Sequence, residues 1–185
     1  MSSQLISIIE EFAKRYCKDE FIKQELEDHK LWENHTQLVR KYSLILAEIE
    51  WAEKFVVEVA SLLHDIGKFK WREWHSERSY ELSKGFLWKL DISSDKLNLI
   101  LNCIRFHWSK HSQENHELEV KVVQCADALW TFFDEEWQEY SRKTMDKSLL
   151  LRLFDKSYNK LNLDSAKSIA KPQVDKLRNI VLWIT

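Results

Sequence analysis

The chain has 185 residues, with 2 glycines, 1 proline and a formal net charge of −2 at pH 7. Glycine and proline together usually make up roughly 12% of a protein, so this composition excludes collagen-like repeats, β-folds with many turns and glycine-rich phosphate-binding loops. The near-balance of charges also predicts no nucleic-acid partner. What remains is a helical protein.

The length predicts one domain with its own hydrophobic core. Cys17, Cys103 and Cys125 are widely spaced and form no C-x-x-C pair, so neither a disulfide framework nor a cysteine zinc site is indicated. No run of about 18 apolar residues occurs, and acids interrupt the apolar stretch near the amino terminus. We therefore expect a cytoplasmic protein with no membrane-spanning segment.

Apolar residues recur every three or four positions along most of the chain, which predicts about eight or nine amphipathic helices. A stripe within residues 5–12 marks the first helix. A short second one is predicted around residues 20–30, before a break near residues 33–34. The third helix carries a stripe over residues 38–49, which His35 extends by one turn.

Residues 54–66 are apolar almost all round, which predicts a central helix that packs on several sides. Gly67 follows as a C-cap glycine, and the end of the helix would let the adjacent His64 and Asp65 side chains face one ion. Another helix is predicted over residues 75–89.

Further helices are predicted from about 93 to 107 and from about 117 to 134, where Glu119 and Asp127 share one line at a helical spacing. The remaining part predicts amphipathic helices at about 145–162 and 165–184. Pro172 either opens or kinks the last of them.

Several residues that can bind a metal fall on apolar stripes or at the end of the central helix. They are His35, His64, Asp65, His75, His107 and Asp127. Buried polar groups need partners, and imidazole with carboxylate suits transition metals, with carboxylates favouring the harder ions. Lys68, just beyond the helix end, would place an ammonium where it could hold a phosphate oxygen.

Five short motifs carry a resemblance to a known family. They are W-E-N-H-T at 32–36, S-L-L-H-D-I-G-K at 61–68, H-S-E-R-S at 75–79, I-R-F-H at 104–107 and E-V-K-V-V-Q-C-A-D at 119–127. In this order and spacing, the chain resembles the HD-domain superfamily of metal-dependent phosphohydrolases over about residues 32–131. The resemblance implies an all-α, single HD domain over residues 1–185. Its motif-bearing core would span about 32–134, with C-terminal helices over 145–184 packed on it.

The resemblance also implies roles for individual residues. The implied metal ligands are His35, His64, Asp65 and Asp127. His75 and His107 would bind a second metal, with Asp65 bridging the two ions, or would line the substrate pocket. Asp65 and Lys68 are the predicted catalytic residues. Residues predicted to support a ligand or contact the substrate are Glu119, Arg72, Arg78 and His111, with a surface acid and a loop histidine as the alternatives for Glu119 and His111.

The expected activity is hydrolysis of a phosphate ester of a nucleotide, or of a similar small phosphorylated metabolite, through a metal-activated hydroxide. One or two divalent ions per chain are expected, from Mn, Fe, Ni, Co, Mg or Zn. Three alternatives stay open: a dinucleoside polyphosphate hydrolase with a binuclear site, a non-catalytic module that binds metal or nucleotide, and a structural helical partner protein. A homodimer is compatible with all of them.

Overall fold

A computed structural model describes residues 2–19, 31–68, 73–108 and 116–183. Within these ranges the chain forms nine α-helices and one π-helical turn, with no strand, which confirms the all-α prediction. The π-helical turn is Leu31–Thr36. The helices are α1 (Ser2–Asp19), α2 (Gln37–Glu50), α3 (Lys54–Leu63), α4 (His75–Leu87), α5 (Ser94–Phe106), α6 (Leu118–Phe133), α7 (Glu135–Thr144), α8 (Lys147–Asn159) and α9 (Asp164–Trp183).

Two helices, α3 and α6, form the centre of the molecule. Helix α3 contacts α1, α2, α5 and α6, and α6 contacts α2, α5, α8 and α9. Both sequences are apolar on most sides, so each helix can bury nearly its whole circumference against neighbours. The ends of α3 and α5 and the middle of α6, where the predicted metal-binding residues lie, are thereby fixed within one hydrophobic core.

Short polar side chains define where two of the outer helices begin. Asp134 accepts a hydrogen bond from the backbone N–H of Trp137 at 2.9 Å, and Asp146 accepts one from Leu149 at 2.8 Å. Each carboxylate satisfies an N–H that has no partner within the helix. These caps set the starts of α7 and α8.

The structure corrects three local predictions. The predicted break near residues 33–34 is wrong, because Leu31–Thr36 is helical and runs directly into α2. Helix α3 ends at Leu63 rather than just before Gly67, and Gly67 has no positive φ. Pro172 lies inside α9 and does not open it. The helix predicted around residues 20–30 falls outside the described residues.

Among the described residues, every helix is too short or too polar to cross a membrane. Cys17, Cys103 and Cys125 are all buried and carry no disulfide.

Candidate metal centre

Four side chains from three parts of the fold meet in one cluster, which we call the first ligand set: His35, His64, Asp65 and Asp127. His35 comes from the π-helical turn, His64 and Asp65 from the turn after α3, and Asp127 from α6. The Nε2 atom of His35 lies 3.0 Å from Nε2 of His64, 2.8 Å from Oδ2 of Asp65 and 3.4 Å from Oδ1 of Asp127. The four ligand atoms all lie within 4.8 Å of one another.

A second cluster shares one residue with the first. This second ligand set consists of Asp65, His75 and His107, where His75 is the first residue of α4 and His107 directly follows α5. The two Nε2 atoms are 3.1 Å apart, and they lie 3.3 and 3.5 Å from Oδ1 of Asp65. Asp65 therefore presents one carboxylate oxygen to each set.

Backbone carbonyls orient two of the imidazoles. Nδ1 of His64 lies 2.7 Å from the carbonyl oxygen of Ser61, and Nδ1 of His107 lies 2.6 Å from that of Ile104. Because a carbonyl can only accept, each Nδ1 must carry the proton and donate. Nε2 is then the nitrogen that faces the cluster with a lone pair, which is the arrangement of a metal-binding histidine.

Indole rings pack against the other two imidazoles. Trp130 contacts His35 edge-on, with ring centroids 4.9 Å apart and planes at 82°. Trp108 contacts His75 in the same manner at 5.3 Å and 73°. The indole N–H of Trp130 donates to Asp134 at 2.8 Å, so this ring is itself fixed in place.

The cluster combines buried charges of both signs. Burial, together with the positive charge of Lys68, lowers the pKa of His35 to about 4. Burial opposes the charged form of His64 as well, but the carboxylates of Asp65 and Asp127 raise its pKa. Burial alone would raise the pKa of Asp65, but the neighbouring His64 and Lys68 hold it well below the usual range. At neutral pH, Asp65 is thus ionised and His35 is neutral, as ligands must be.

The burial and hydrogen bonding of the donor set match what a divalent ion requires. All four histidines are buried, each at most 3% exposed. Oδ1 of Asp65 is buried too and, among the described residues, has no hydrogen-bond partner although it faces His75 and His107. A buried carboxylate oxygen without a donor is costly. A divalent ion bound by imidazole nitrogen and carboxylate oxygen satisfies it, so the residues fit such an ion.

Gly67 packs the turn after α3 closely against the start of α4. Its N–H donates to Oγ of Ser79 at 2.9 Å, and its carbonyl accepts from Nε of Arg78 at 2.8 Å. A Cβ at this position would lie 2.4 Å from the carbonyl oxygen of His75 and 2.6 Å from the nitrogen of Ser79. Glycine is therefore needed for close approach and not for a left-handed C-cap, and this contact places His75 beside Asp65.

The other predicted site residues lie in different places. Lys68 reaches the cluster, since its ammonium contacts Oδ2 of Asp65. Arg78 donates to the backbone carbonyls of Gly67 and Glu73, so its guanidinium holds these two backbone segments together. Glu119 accepts from the N–H of Glu53 at the start of α3, so the structure does not bring it to the ligands. Arg72 and His111 fall outside the described residues.

Sequence reasoning missed the carbonyls of Ser61 and Ile104 as orienting groups. Every residue supplies a carbonyl, so no residue type marks this role. The available signal is that His64 and His107 each stand three residues beyond a position near the end of an apolar helix.

A family model for the HD domain matches residues 32–131. The match spans more than half of the chain and includes every residue of both ligand sets. The chain belongs to the HD-domain superfamily, and it is accordingly a metal-dependent phosphohydrolase that uses a divalent metal ion.

Solved structures of similar fold come from several bacteria. A predicted HD superfamily hydrolase from an uncultured Thermotogales bacterium has a TM-score of 0.66 and 20% identity, covering 95% of this chain and 88% of that chain. Bacillus subtilis YpgQ, solved in complex with ADP, has a TM-score of 0.66 and 20% identity, covering 98% and 93%. An HD-superfamily hydrolase from Bacillus thuringiensis has a TM-score of 0.63 and 18% identity, covering 98% and 95%. No curated protein sequence matches the chain.

Proposed function

We propose that this phosphohydrolase cleaves a phosphate ester of a nucleotide, or of a similar small phosphorylated metabolite, at a site for two divalent ions. The observation that carries the proposal is the position of Asp65. One of its oxygens faces His35 and His64, and the other faces His75 and His107. A carboxylate shared in this way is suited to bridge two ions.

Each of the two ligand sets would bind one ion. The first set would hold one ion through His35, His64 and Asp127, and the second would hold the other through His75 and His107. Two divalent ions side by side lower the pKa of water and neutralise charge on a phosphoryl group during its displacement.

Lys68 would contribute a positive charge for the substrate. Its ammonium contacts Asp65, and its side chain is 16% exposed, so it connects the buried cluster to the surface. An ammonium on a flexible stem can bind a phosphate oxygen as a point charge. We assign Lys68 to binding and neutralising the transferred phosphoryl group.

A nucleotide is the substrate class that we favour. Support comes from Bacillus subtilis YpgQ, which has the same fold and was solved with ADP. A dinucleoside polyphosphate is the second candidate, because the six residues of the two ligand sets resemble those of HD hydrolases that cleave such substrates and would supply a binuclear site.

The experiment is a metal and substrate screen of the purified protein. The protein is stripped of metal and reloaded separately with Mn, Fe, Co, Ni, Mg or Zn. Released phosphate and other products are then measured for mononucleotides, dinucleoside polyphosphates and sugar phosphates. We expect two ions per chain and turnover of a nucleotide.

Two variants make this screen specific. Asp65→Asn should remove most bound metal and reduce turnover by at least a hundredfold, on the order of the loss of a main catalytic group. Asp155→Asn removes an exposed carboxylate on α8 that pairs with Arg178, and it should leave both unchanged. Tight nucleotide binding with no turnover under any metal would contradict the proposal, as would full activity in Asp65→Asn.

A further inference from the structure

A series of part-buried side-chain hydrogen bonds leads from the loop between α8 and α9 to the end of α5. Nδ2 of Asn162 donates to Oε1 of Gln124 at 3.0 Å. Nε2 of Gln124 donates to the carbonyl oxygen of Phe106 at 2.7 Å. The thiol of Cys125 donates to Oδ1 of Asn162 at 3.0 Å, which fixes the orientation of the Asn162 amide.

The acceptor at the end of this series is a helix-terminal carbonyl. Phe106 is the last residue of α5, and a carbonyl in the last turn has no partner within its own helix. Gln124 supplies that partner from a position that is only 3% exposed, where water cannot readily replace it. The last turn of α5 is thereby tied to α6.

The tied turn is the one that carries a candidate ligand. His107 follows Phe106 directly, keeps right-handed helical backbone angles and donates through Nδ1 to Ile104 within the same turn. Fraying of this turn would release that bond and turn Nε2 of His107 away from the second ligand set. Gln124 also lies one helical turn before Asp127 on α6, so one helix supplies both a ligand and this tie.

We propose that Gln124 is a positioning residue for His107, and that Asn162 holds the Gln124 amide with its NH₂ group towards α5. This inference rests on the proposed two-ion site. It assigns a role to residue 162, which lies beyond the part of the chain that the HD-domain model matches. The loop between the C-terminal helices α8 and α9 would then support the second ion through hydrogen bonds rather than through ligands.

A second buried glutamine in the protein provides a matched control. Gln138 of α7 is 5% exposed, and its Nε2 donates to the carbonyl of Phe132 in the last turn of α6 at 2.5 Å. The bond type is the same as for Gln124, the glutamine is similarly buried, and the acceptor is again a carbonyl in the last turn of a helix. No candidate ligand follows this carbonyl, since Asp127 precedes it by more than a turn.

The test compares Gln124→Met with Gln138→Met, since methionine keeps the length of the side chain and removes the amide. Mn²⁺ binding to the full chain is measured by calorimetry and by ion counting. We expect Gln124→Met to weaken the second ion about tenfold, the lower end of the effect of outer hydrogen bonds on metal sites. The first ion should bind as in the native protein, and Gln138→Met should bind both ions normally even though it is less stable.

A second measurement needs no metal. Nitrogen-15 NMR of the imidazoles in the ion-free protein reports which nitrogen of His107 is protonated. We expect the Nδ1–H form in the native protein and in Gln138→Met, and a mixture of forms in Gln124→Met. Asn162→Asp should also give a mixture, because a carboxylate attracts the Gln124 NH₂ group away from Phe106.

The outcomes separate this inference from the proposed function. Equal Mn²⁺ binding and an unchanged His107 tautomer in Gln124→Met would overturn the positioning role, whatever the enzyme hydrolyses. Equal losses in Gln124→Met and Gln138→Met would overturn it too, because the effect would then be general destabilisation. A failure of the nucleotide screen, with the tautomer result as expected, would contradict the substrate and leave the positioning role supported.

Discussion

Asp65 is the residue on which the whole cluster depends. Four imidazoles and one ammonium lie around its two oxygens, and its side chain is 1% exposed. Such a carboxylate must have compensating positive charge, since an isolated buried charge is strongly unfavourable. In the ion-free protein the ammonium of Lys68 provides that charge, and a divalent ion would compete with it.

This competition gives Lys68 two opposite effects that a single substitution can separate. In Lys68→Met the repulsion between the ammonium and an incoming ion disappears, so we expect the dissociation constant of Mn²⁺ to fall by about tenfold. The positive charge for the phosphoryl group disappears as well, so we expect kcat/KM to fall by about a hundredfold. Calorimetry and steady-state kinetics on one protein preparation check both.

An exposed lysine-carboxylate pair supplies the control for this prediction. Lys54 pairs with Glu48 on the surface, where both side chains are more than half exposed. Lys54→Met should change neither Mn²⁺ binding nor kcat/KM. A Lys68→Met protein with weaker Mn²⁺ binding would show that the ammonium supports the ion instead of competing with it.

At the scale of elements, the ligands depend on how neighbouring helices meet. The sequence predicted the helices that carry the candidate ligands from apolar spacing. It placed Asp127 within a helix and His64 and Asp65 near a helix end, although α3 stops at Leu63, just before them. It could not predict the π-helical turn around His35, because no residue type marks a π-helical turn, although such turns often lie at functional sites. The role of Gly67 could not be predicted either, because it depends on close packing against α4. A local sequence pattern does not show which later helix packs there.

The two glycines make the tight contact between elements testable. Gly67→Ala puts a Cβ into the backbone of His75 and Ser79, so we expect a loss of about 1–3 kcal/mol of stability. His75 should shift with α4, so the second Mn²⁺ should be lost before the first. Denaturant unfolding and ion counting check these two effects.

Gly85, which lies within α4, is the matched position. A Cβ there meets nothing within 4 Å and the residue is exposed. Gly85→Ala should therefore stabilise the protein by about 0.5–1 kcal/mol through helix propensity and leave ion binding unchanged. If Gly67→Ala behaves like Gly85→Ala, the close approach of α4 is not what places His75.

At the scale of the whole molecule, the all-α fold and the HD-domain family followed from the sequence, whereas the arrangement of the centre did not. Periodicity predicts which residues are helical, but the division into two ligand sets depends on how α3, α4 and α5 converge on Asp65. Glu119 illustrates the difference. It shares a helical line with Asp127, but it lies at the start of α6, away from Asp127, and accepts a hydrogen bond from the N–H of Glu53.

Because the candidate ligands come from separate elements, bound ions should stabilise the folded state. At ion concentrations a thousandfold above the dissociation constant, binding stabilises the folded state by about 4 kcal/mol. For a protein of this size that is roughly 10 °C in Tm. We expect EDTA to lower the Tm of the native protein by this amount and to leave that of Asp65→Asn unchanged, as measured by calorimetry. An EDTA-insensitive native protein would favour a purely structural role.

The positions of the ligands along their helices also set how fast an ion can leave. Five of the six candidate ligands lie at helix ends or in the turns beside them: His35, His64, Asp65, His75 and His107. Terminal turns open with far less free energy than whole helices unfold. We therefore expect local opening of these turns, and not global unfolding, to govern the lifetime of a bound ion. Asp127, in the middle of α6, should then be the last candidate ligand to dissociate from the ion.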